Sequence, residues 1–207
     1  MRVILWRSAG FFLCLVVLPP PSYLGAQRPG QRFDSPLKNF SVIVPDFATR
    51  VQKSNTKTDG TVSFLGLFGD LRRIDYAHLE PEALEALATL DSTQKQRAYQ
   101  QVLQVVLSTS RNELLTQEPV RFDALDMLVA LVSFPEGSHL FDAVSGKRLH
   151  SVRGLLLFTR GGFQYTLSIE VGDALLRRPE ERQAPTEELA KRAIALLGEF
   201  YQTIAFR

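Results

Sequence analysis

The 207-residue sequence has one cysteine, Cys14, and one tryptophan, Trp6. A single thiol cannot close an intramolecular disulfide, so stability has to come from a packed core. Histidine is scarce too, with three copies at His78, His139 and His150. Neither sign of charge dominates, since 24 bases face 22 acids for a formal net charge of +2. So balanced a chain lacks the excess of Lys and Arg on which binding to nucleic acid or anionic lipid relies. Long apolar runs are missing as well: the run Ala9–Leu18 is ten residues long, about half of the roughly 20 that span a bilayer. With 45% hydrophobic, 22% charged and 10% aromatic residues, disordered, collagen-like and multi-pass membrane chains are excluded.

The first recognisable feature is an address. Arg2 and Arg7 precede the apolar run, Pro19-Pro20-Pro21 breaks it, and Leu24-Gly25-Ala26 offers a cleavage site. The expectation is a signal peptide over 1–26, cut after Ala26, and an exported protein, periplasmic or extracellular. Leu24 is larger than the small residue usual three before a cut, so an uncleaved membrane anchor is the alternative. Cleavage would remove Cys14, Trp6 and two arginines, leaving 22 bases against 22 acids.

Gln27–Leu37, with Pro29, Gly30 and Pro36, reads as a flexible leader. Residues 38–207 suit one domain, long enough to bury roughly 70% of its unfolded surface. Phe40–Val44 reads as a strand ended by Pro45-Asp46, Val62–Phe68 as a buried strand and Leu71–Leu79 as the next, together a β-meander. Pro81–Leu90 is helical, and Asp91-Ser92 caps a second helix running to about Leu115. In it Tyr99, Val102, Leu103 and Val106 form one apolar stripe that needs a sheet to lie on.

Strand character returns after Pro119. Met127–Phe134 is almost wholly apolar, His139–Val144 is short, and Ser145-Gly146-Lys147 turns into Arg148–Thr159, whose Leu155–Phe158 is expected to be buried on both sides. Arg160-Gly161-Gly162 turns into Phe163–Val171, where apolar and polar residues alternate strictly. Gly172–Gln183 is a charged loop, and Thr186 caps a last helix with Leu189, Ala193, Leu196, Leu197 and Phe200 on its core face. Strands, helices, strands and a helix make an α+β fold, an antiparallel sheet covered by helices.

Few chemistries fit these residues. The histidines are spaced for neither a helical i, i+4 metal pair nor a thiolate site, and read as strand-end residues. Ser138 and His139 are adjacent, and in an extended segment they point to opposite faces. Gly66 with Gly69, and Gly161-Gly162, lie between strands, where a phosphate cradle would open a helix. Asp123 and Asp126, three apart, would share a face only on a helix. Arg72, Arg73, Lys147, Arg148, Arg153 and Arg160 form a basic patch if their hairpins are neighbours, and otherwise a solvated face. No residue is assigned a catalytic, cofactor-binding or metal-ligating role.

Asn39-Phe40-Ser41-Val42-Ile43-Val44-Pro45 before an Asp-Gly turn, the helical middle, Phe134-Pro135-Glu136-Gly137, Arg153–Phe158, Arg160–Leu167 and a closing helix with Phe200 and Phe206 together resemble the PsbP/Mog1-like superfamily. The resemblance spans about Asn39 to Phe206. It implies an α/β/α sandwich and a non-enzymatic binding or assembly factor, the kind of role filled by lumenal photosystem subunits and exported bacterial members. It carries over no catalytic residue, because the shared motifs are core and turn positions. The polar stretch between Asp91 and Glu118 departs from it. The expectation is an envelope binding or assembly module with an unidentified protein or small-ligand partner and no cofactor. Nucleic acid is not expected, and a membrane only if the leader is retained. The alternative is an envelope hydrolase whose triad assembles from distant residues through His139 or His150.

Overall fold

A computed structural model describes residues 22–23, 28–66, 70–108, 112–122, 124–135, 148–172 and 185–207. Its main layer is an eight-stranded antiparallel sheet in the order β1-β4-β5-β6-β10-β9-β8-β7. The strands are β1 (Ser22–Tyr23), β4 (Ala48–Asn55), β5 (Asp59–Gly66), β6 (Leu71–His78), β7 (Glu113–Phe122), β8 (Leu125–Phe134), β9 (Ser151–Arg160) and β10 (Phe163–Gly172). Two meanders, β4–β6 and β7–β10, join where β6 pairs with β10. Between them run α1 (Pro81–Thr89) and α2 (Ser92–Ser108). The second sheet, β11-β3-β2, consists of β2 (Arg32–Asp34), β3 (Phe40–Ile43) and β11 (Ile204–Phe206), the last following α3 (Thr186–Gln202).

Period-two alternation decides which face each strand presents to which layer. On β10, Tyr165, Leu167, Ile169 and Val171 join the core under α3 and the small sheet, together with Leu156 and Phe158 of β9. Leu155 and Leu157 of β9 point the other way, into a second core with Leu128, Ala130 and Val132 of β8, closed by Tyr99 and Leu103 of α2. So β9 is buried on both faces, as its unbroken apolar run requires. Gly154 faces α3, where a Cβ would be in ordinary contact with Ala193, 3.4 Å from its carbonyl oxygen. The Gly161-Gly162 loop between β9 and β10 has positive φ at both residues, 56° and 82°, the two-residue hairpin turn that glycine allows.

At α2 the Asp91 carboxylate accepts from the Gln94 N–H at 2.8 Å and the Gln94 side chain accepts from the Asp91 N–H at 3.0 Å, a reciprocal capping box. Five expectations need correction. α2 stops at Ser108 rather than about Leu115, and the Asn112 amide donates to the Leu107 carbonyl beyond it. Glu113–Phe122 is then an edge strand, where Pro119 is tolerated because an edge needs no full ladder. Phe40–Ile43 pairs with β2 and β11 in the small sheet and is no part of the meander. The leader is ordered where it was expected to be flexible: Phe33 is buried, and its ring meets Phe64 edge-on. Finally, Pro185 precedes α3 and Thr186 is its first residue. Among the described residues no side chain caps it, and the Pro185 carbonyl accepts from the Glu188 and Leu189 N–H groups.

Gly60 lies directly across from Tyr76, and a Cβ on it would fall 2.2 Å from the Tyr76 oxygen and 2.4 Å from Cζ. Gly60→Ala should therefore cost about 1–3 kcal/mol in a urea melt, the usual penalty of overpacking. Because Cζ is itself too close, Tyr76→Phe should not restore the loss. Unchanged midpoints would show that the ring has room to move.

Candidate functional site

The residues singled out from the sequence do not converge. His78 ends β6 opposite Phe163, with its ring edge-on to that ring at 5.1 Å. His150 precedes β9, within 3.3 Å of the Ser133 hydroxyl, at the other end of the sheet. Nine residues of β10 separate the two levels, about 30 Å at the usual rise, so these two imidazoles cannot share an ion or a substrate. Asp126 accepts from the Ser92 hydroxyl at 2.6 Å and faces Lys95 at 3.7 Å, which ties the start of α2 to β8. Gly66 hydrogen-bonds across a hairpin to Asp70 at 2.9 Å, so that glycine serves a turn. Ser138, His139, Asp123, Gly69, Lys147 and most of 1–26 lie outside the described residues.

Among the described residues the basic side chains divide between two faces: Arg72 and Arg160 lie on the α3 side, Arg73 and Arg153 on the other. Arg72 lies over the rings of Phe47 and Phe200 on the α3 side, at 4.9 and 5.7 Å. Arg73 points to the other face, where Asp75 accepts from both its Nε and Nη2 and Thr61 adds a 2.6 Å bond to the same carboxylate. Arg153 gives its Nε and Nη2 N–H groups to a single oxygen, Oε2, of the fully buried Glu170, whose Oε1 accepts from the Ser151 hydroxyl at 2.8 Å. Burial lowers the Arg72 guanidinium's pKa, and Glu199 and Asp70 oppose the shift. Burial also pulls Arg73 down, and Asp75 outweighs it, leaving a net rise.

Arg160 is different. Strand register places Phe122 opposite Leu125, and Leu125 lies two residues beyond the Met127–Phe158 pair, so Phe122 and Arg160 stand at the same end of the sheet on the α3 face. The end of α3 and β11 descend onto that row. Together Phe122, Arg160, Tyr201, Gln202, Ile204, Ala205 and Phe206 line a shallow open hollow of about 350 Å³. The Arg160 guanidinium sits over the Phe206 ring at 5.4 Å. Phe122 meets Tyr201 edge-on at 5.5 Å, and Tyr201 lies 5.7 Å from Phe206. Beneath them Phe158 stacks on Tyr165 at 5.2 Å, and both rings contact Phe206 edge-on. Phe122 is 47% exposed.

The floor is held from below by a buried polar chain. The Ser35 hydroxyl donates to the Asn39 side-chain oxygen at 2.6 Å, and the Asn39 amide donates to the Tyr165 hydroxyl at 3.0 Å. Burial pushes the Tyr165 phenol up to about 12, against the Asn39 hydrogen bond and the nearby Arg160 charge. Burial likewise raises Tyr76 and Tyr99. A raised phenol means the folded state holds its proton after the unfolded chain has lost it. Its stabilisation is therefore intact below about pH 10 and falls by about 1.4 kcal/mol per pH unit per tyrosine between there and the folded value. An alkaline titration followed at 295 nm should show these phenols ionising together with loss of the circular dichroism signal. Smooth ionisation of every tyrosine near pH 10 in a folded chain would contradict their burial.

The sequence reading missed the hollow. Of its lining, Arg160 reads from sequence as a turn residue and a member of a possible basic patch, Phe206 as a closing aromatic, and Phe122 falls in a stretch with no periodicity. The one available signal was the density of aromatic residues in Phe200-Tyr201 and Phe206 at the end of the chain.

No protein-family model and no curated protein matches this sequence. Among solved structures, cyanobacterial PsbP (CyanoP) from Synechocystis sp. PCC 6803 is similar at 12% identity with a TM-score of 0.50, over 90% of this chain and 98% of that one. The Ran-binding protein Mog1p of Saccharomyces cerevisiae gives 12% identity and a TM-score of 0.47, over 88% and 96%. At such identities a likeness speaks for the fold alone. With an antiparallel sheet between α2 on one face and α3 with a small sheet on the other, and CyanoP matched over nearly its full length, the chain has a PsbP/Mog1-like fold.

Proposed function

We propose that this protein is an exported, non-enzymatic binding or assembly module of the cell envelope, and that the hollow beside Arg160 is where it grips a protein partner. The observation carrying this reading is the hollow's make-up: aromatic rings, one guanidinium and, among the described residues, no acid in its lining. An exposed apolar patch with a polar rim is the usual mark of a protein contact. The acids best placed for chemistry are otherwise engaged, Asp75 and Glu170 by arginines and Asp126 by Ser92 and Lys95. Both the resemblance noted in the sequence and the shared fold are compatible with a binding role. The signal-like segment 1–26 supports export. Its removal after Ala26 would take away Ser22–Tyr23 and leave β4 as the sheet's edge.

A photoreactive benzophenone amino acid placed at position 122 in intact cells tests the site. A discrete adduct is expected there, and none from position 101 on the exposed side of α2. Recovery of the protein alone from both positions would defeat the reading. Mass spectrometry of the protein from the envelope fraction should show an N-terminus at Gln27, and an intact leader in the cytosol would rule out export.

A further inference from the structure

We infer that the hollow recognises an aromatic side chain with a carboxylate next to it, displayed on an exposed segment of a protein partner. This rests on the reading of the hollow as the partner site and adds the chemistry of what enters it.

Size and openness argue first. At about 350 Å³ the hollow falls at the low end for ligand sites. Being shallow, it would leave much of a free small molecule in water. A side chain offered by a partner brings its own covering surface, so burial is completed by the surroundings of the ring. The walls suit a ring: Phe122 and Tyr201 are already edge-on to each other, and aromatic pairs favour edge-to-face or offset contact.

Charge selects what accompanies the ring. Of Arg72, Arg73, Arg153 and Arg160, three have carboxylate neighbours, namely Glu199 with Asp70, Asp75, and Glu170. Arg160 has the Phe206 ring under its guanidinium and, among the described residues, no carboxylate within ion-pair distance. At 5.4 Å over the ring the guanidinium is within cation–π range, and a guanidinium can take a carboxylate in two parallel bonds. A lysine beside the ring would instead bring like charge to Arg160 and be rejected. Gln202 on the rim offers an amide to the backbone of the incoming segment.

The test uses the whole protein and fluorescein-labelled, end-blocked pentapeptides read by fluorescence anisotropy: Gly-Ser-Trp-Glu-Gly, Gly-Ser-Trp-Lys-Gly and Gly-Ser-Ala-Glu-Gly. The Trp-Glu peptide should bind at least about tenfold more tightly than the other two, the scale of one charge-assisted hydrogen bond. Arg160→Gln should remove that advantage over the Trp-Lys peptide, and Phe122→Ala should weaken both tryptophan peptides. Thermal melts of the two variants should match the parent, since both side chains lie at the rim. Equal affinity for Trp-Glu and Trp-Lys, or a dimer in sedimentation that Arg160→Gln abolishes, would overturn the inference. If the crosslink from position 122 persists while the peptides bind without discrimination, the ligand chemistry is wrong and the site stands. If neither is seen, the site itself is wrong.

Discussion

Leu156→Asp should leave the chain unable to fold. Leu156 lies in the middle of β9, beneath α3 and between Leu167 of β10 and Val129 of β8, and it is 6% exposed. A carboxylate there has no cation to meet, because the residues packed around it are apolar, and an ionised group without a partner in such a place costs several kcal/mol or more. The lost leucine packing adds roughly 2–5 kcal/mol. A domain of this size has about 5–15 kcal/mol in total, so the two losses together exhaust it. Leu156→Met, which keeps volume and polarity, should cost less than about 1.5 kcal/mol and serves as the control. Expression with circular dichroism and a urea melt decides the matter. A soluble Asp variant with a cooperative transition would mean that β9 is not central.

The second large effect is expected from Phe158→Ala, at about 3–5 kcal/mol. Phe158 is fully enclosed, stacked on Tyr165, edge-on to Tyr201 and Phe206, and paired across the sheet with Met127. Four elements meet on this ring, so its removal leaves a cavity that none of them can close alone. The consequence reaches beyond stability, because Phe206 and Tyr201 are the floor of the hollow and rest on Phe158. The variant should therefore melt earlier in urea and also bind the Trp-Glu peptide more weakly under conditions where it is still folded. A loss below about 1 kcal/mol would show that the aromatic cluster repacks. An unchanged peptide affinity would show that the hollow does not depend on its support.

A binding module of this kind places its demands on the surface in an unusual way. The half of the sheet under α2 is apolar and closed, whereas β10, β6 and β5 present Gln164, Thr166, Ser168, Arg73, Asp75, Thr61 and Ser63 on the same face. Three of these, Gln164, Ser168 and Ser63, are buried, as is Glu170 beside them, although the alternation of β10 alone reads as one face in the core and the other away from it. Charge matching inside that face explains how polar residues can be covered: Arg73 and Arg153 each give two N–H groups to a carboxylate. The α3 face ends instead in an arginine held by a ring, and that contrast directs attention to the hollow.

Some of this was open to reading from the residues in order. The alternation of Phe163–Val171, the unbroken Leu155–Phe158, the stripe of Tyr99 and Leu103 and the capping pair Asp91 and Gln94 each express a local rule, and a local rule needs only near neighbours in the chain. β7 was hidden for the opposite reason: as an edge strand it is mostly exposed, so no apolar period marks it, and its proline argues against a strand. β2 and β11 are three residues each and bury little more than Phe33 and Ile204, too short to carry a pattern.

Composition and period, which act residue by residue, are enough for the class of fold, the two-sided burial of β9, the absence of disulfide support and the even balance of charge. Tertiary packing sets which of Arg72, Arg73, Arg153 and Arg160 meet an acid, and that Phe122, Arg160, Tyr201 and Phe206 share one hollow. Those four come from separate elements, β7, β9, α3 and β11, between Phe122 and Phe206. What brings them together is strand register and the seating of α3 and β11 on the sheet, and these follow from the sum of core packing rather than from any short stretch of sequence.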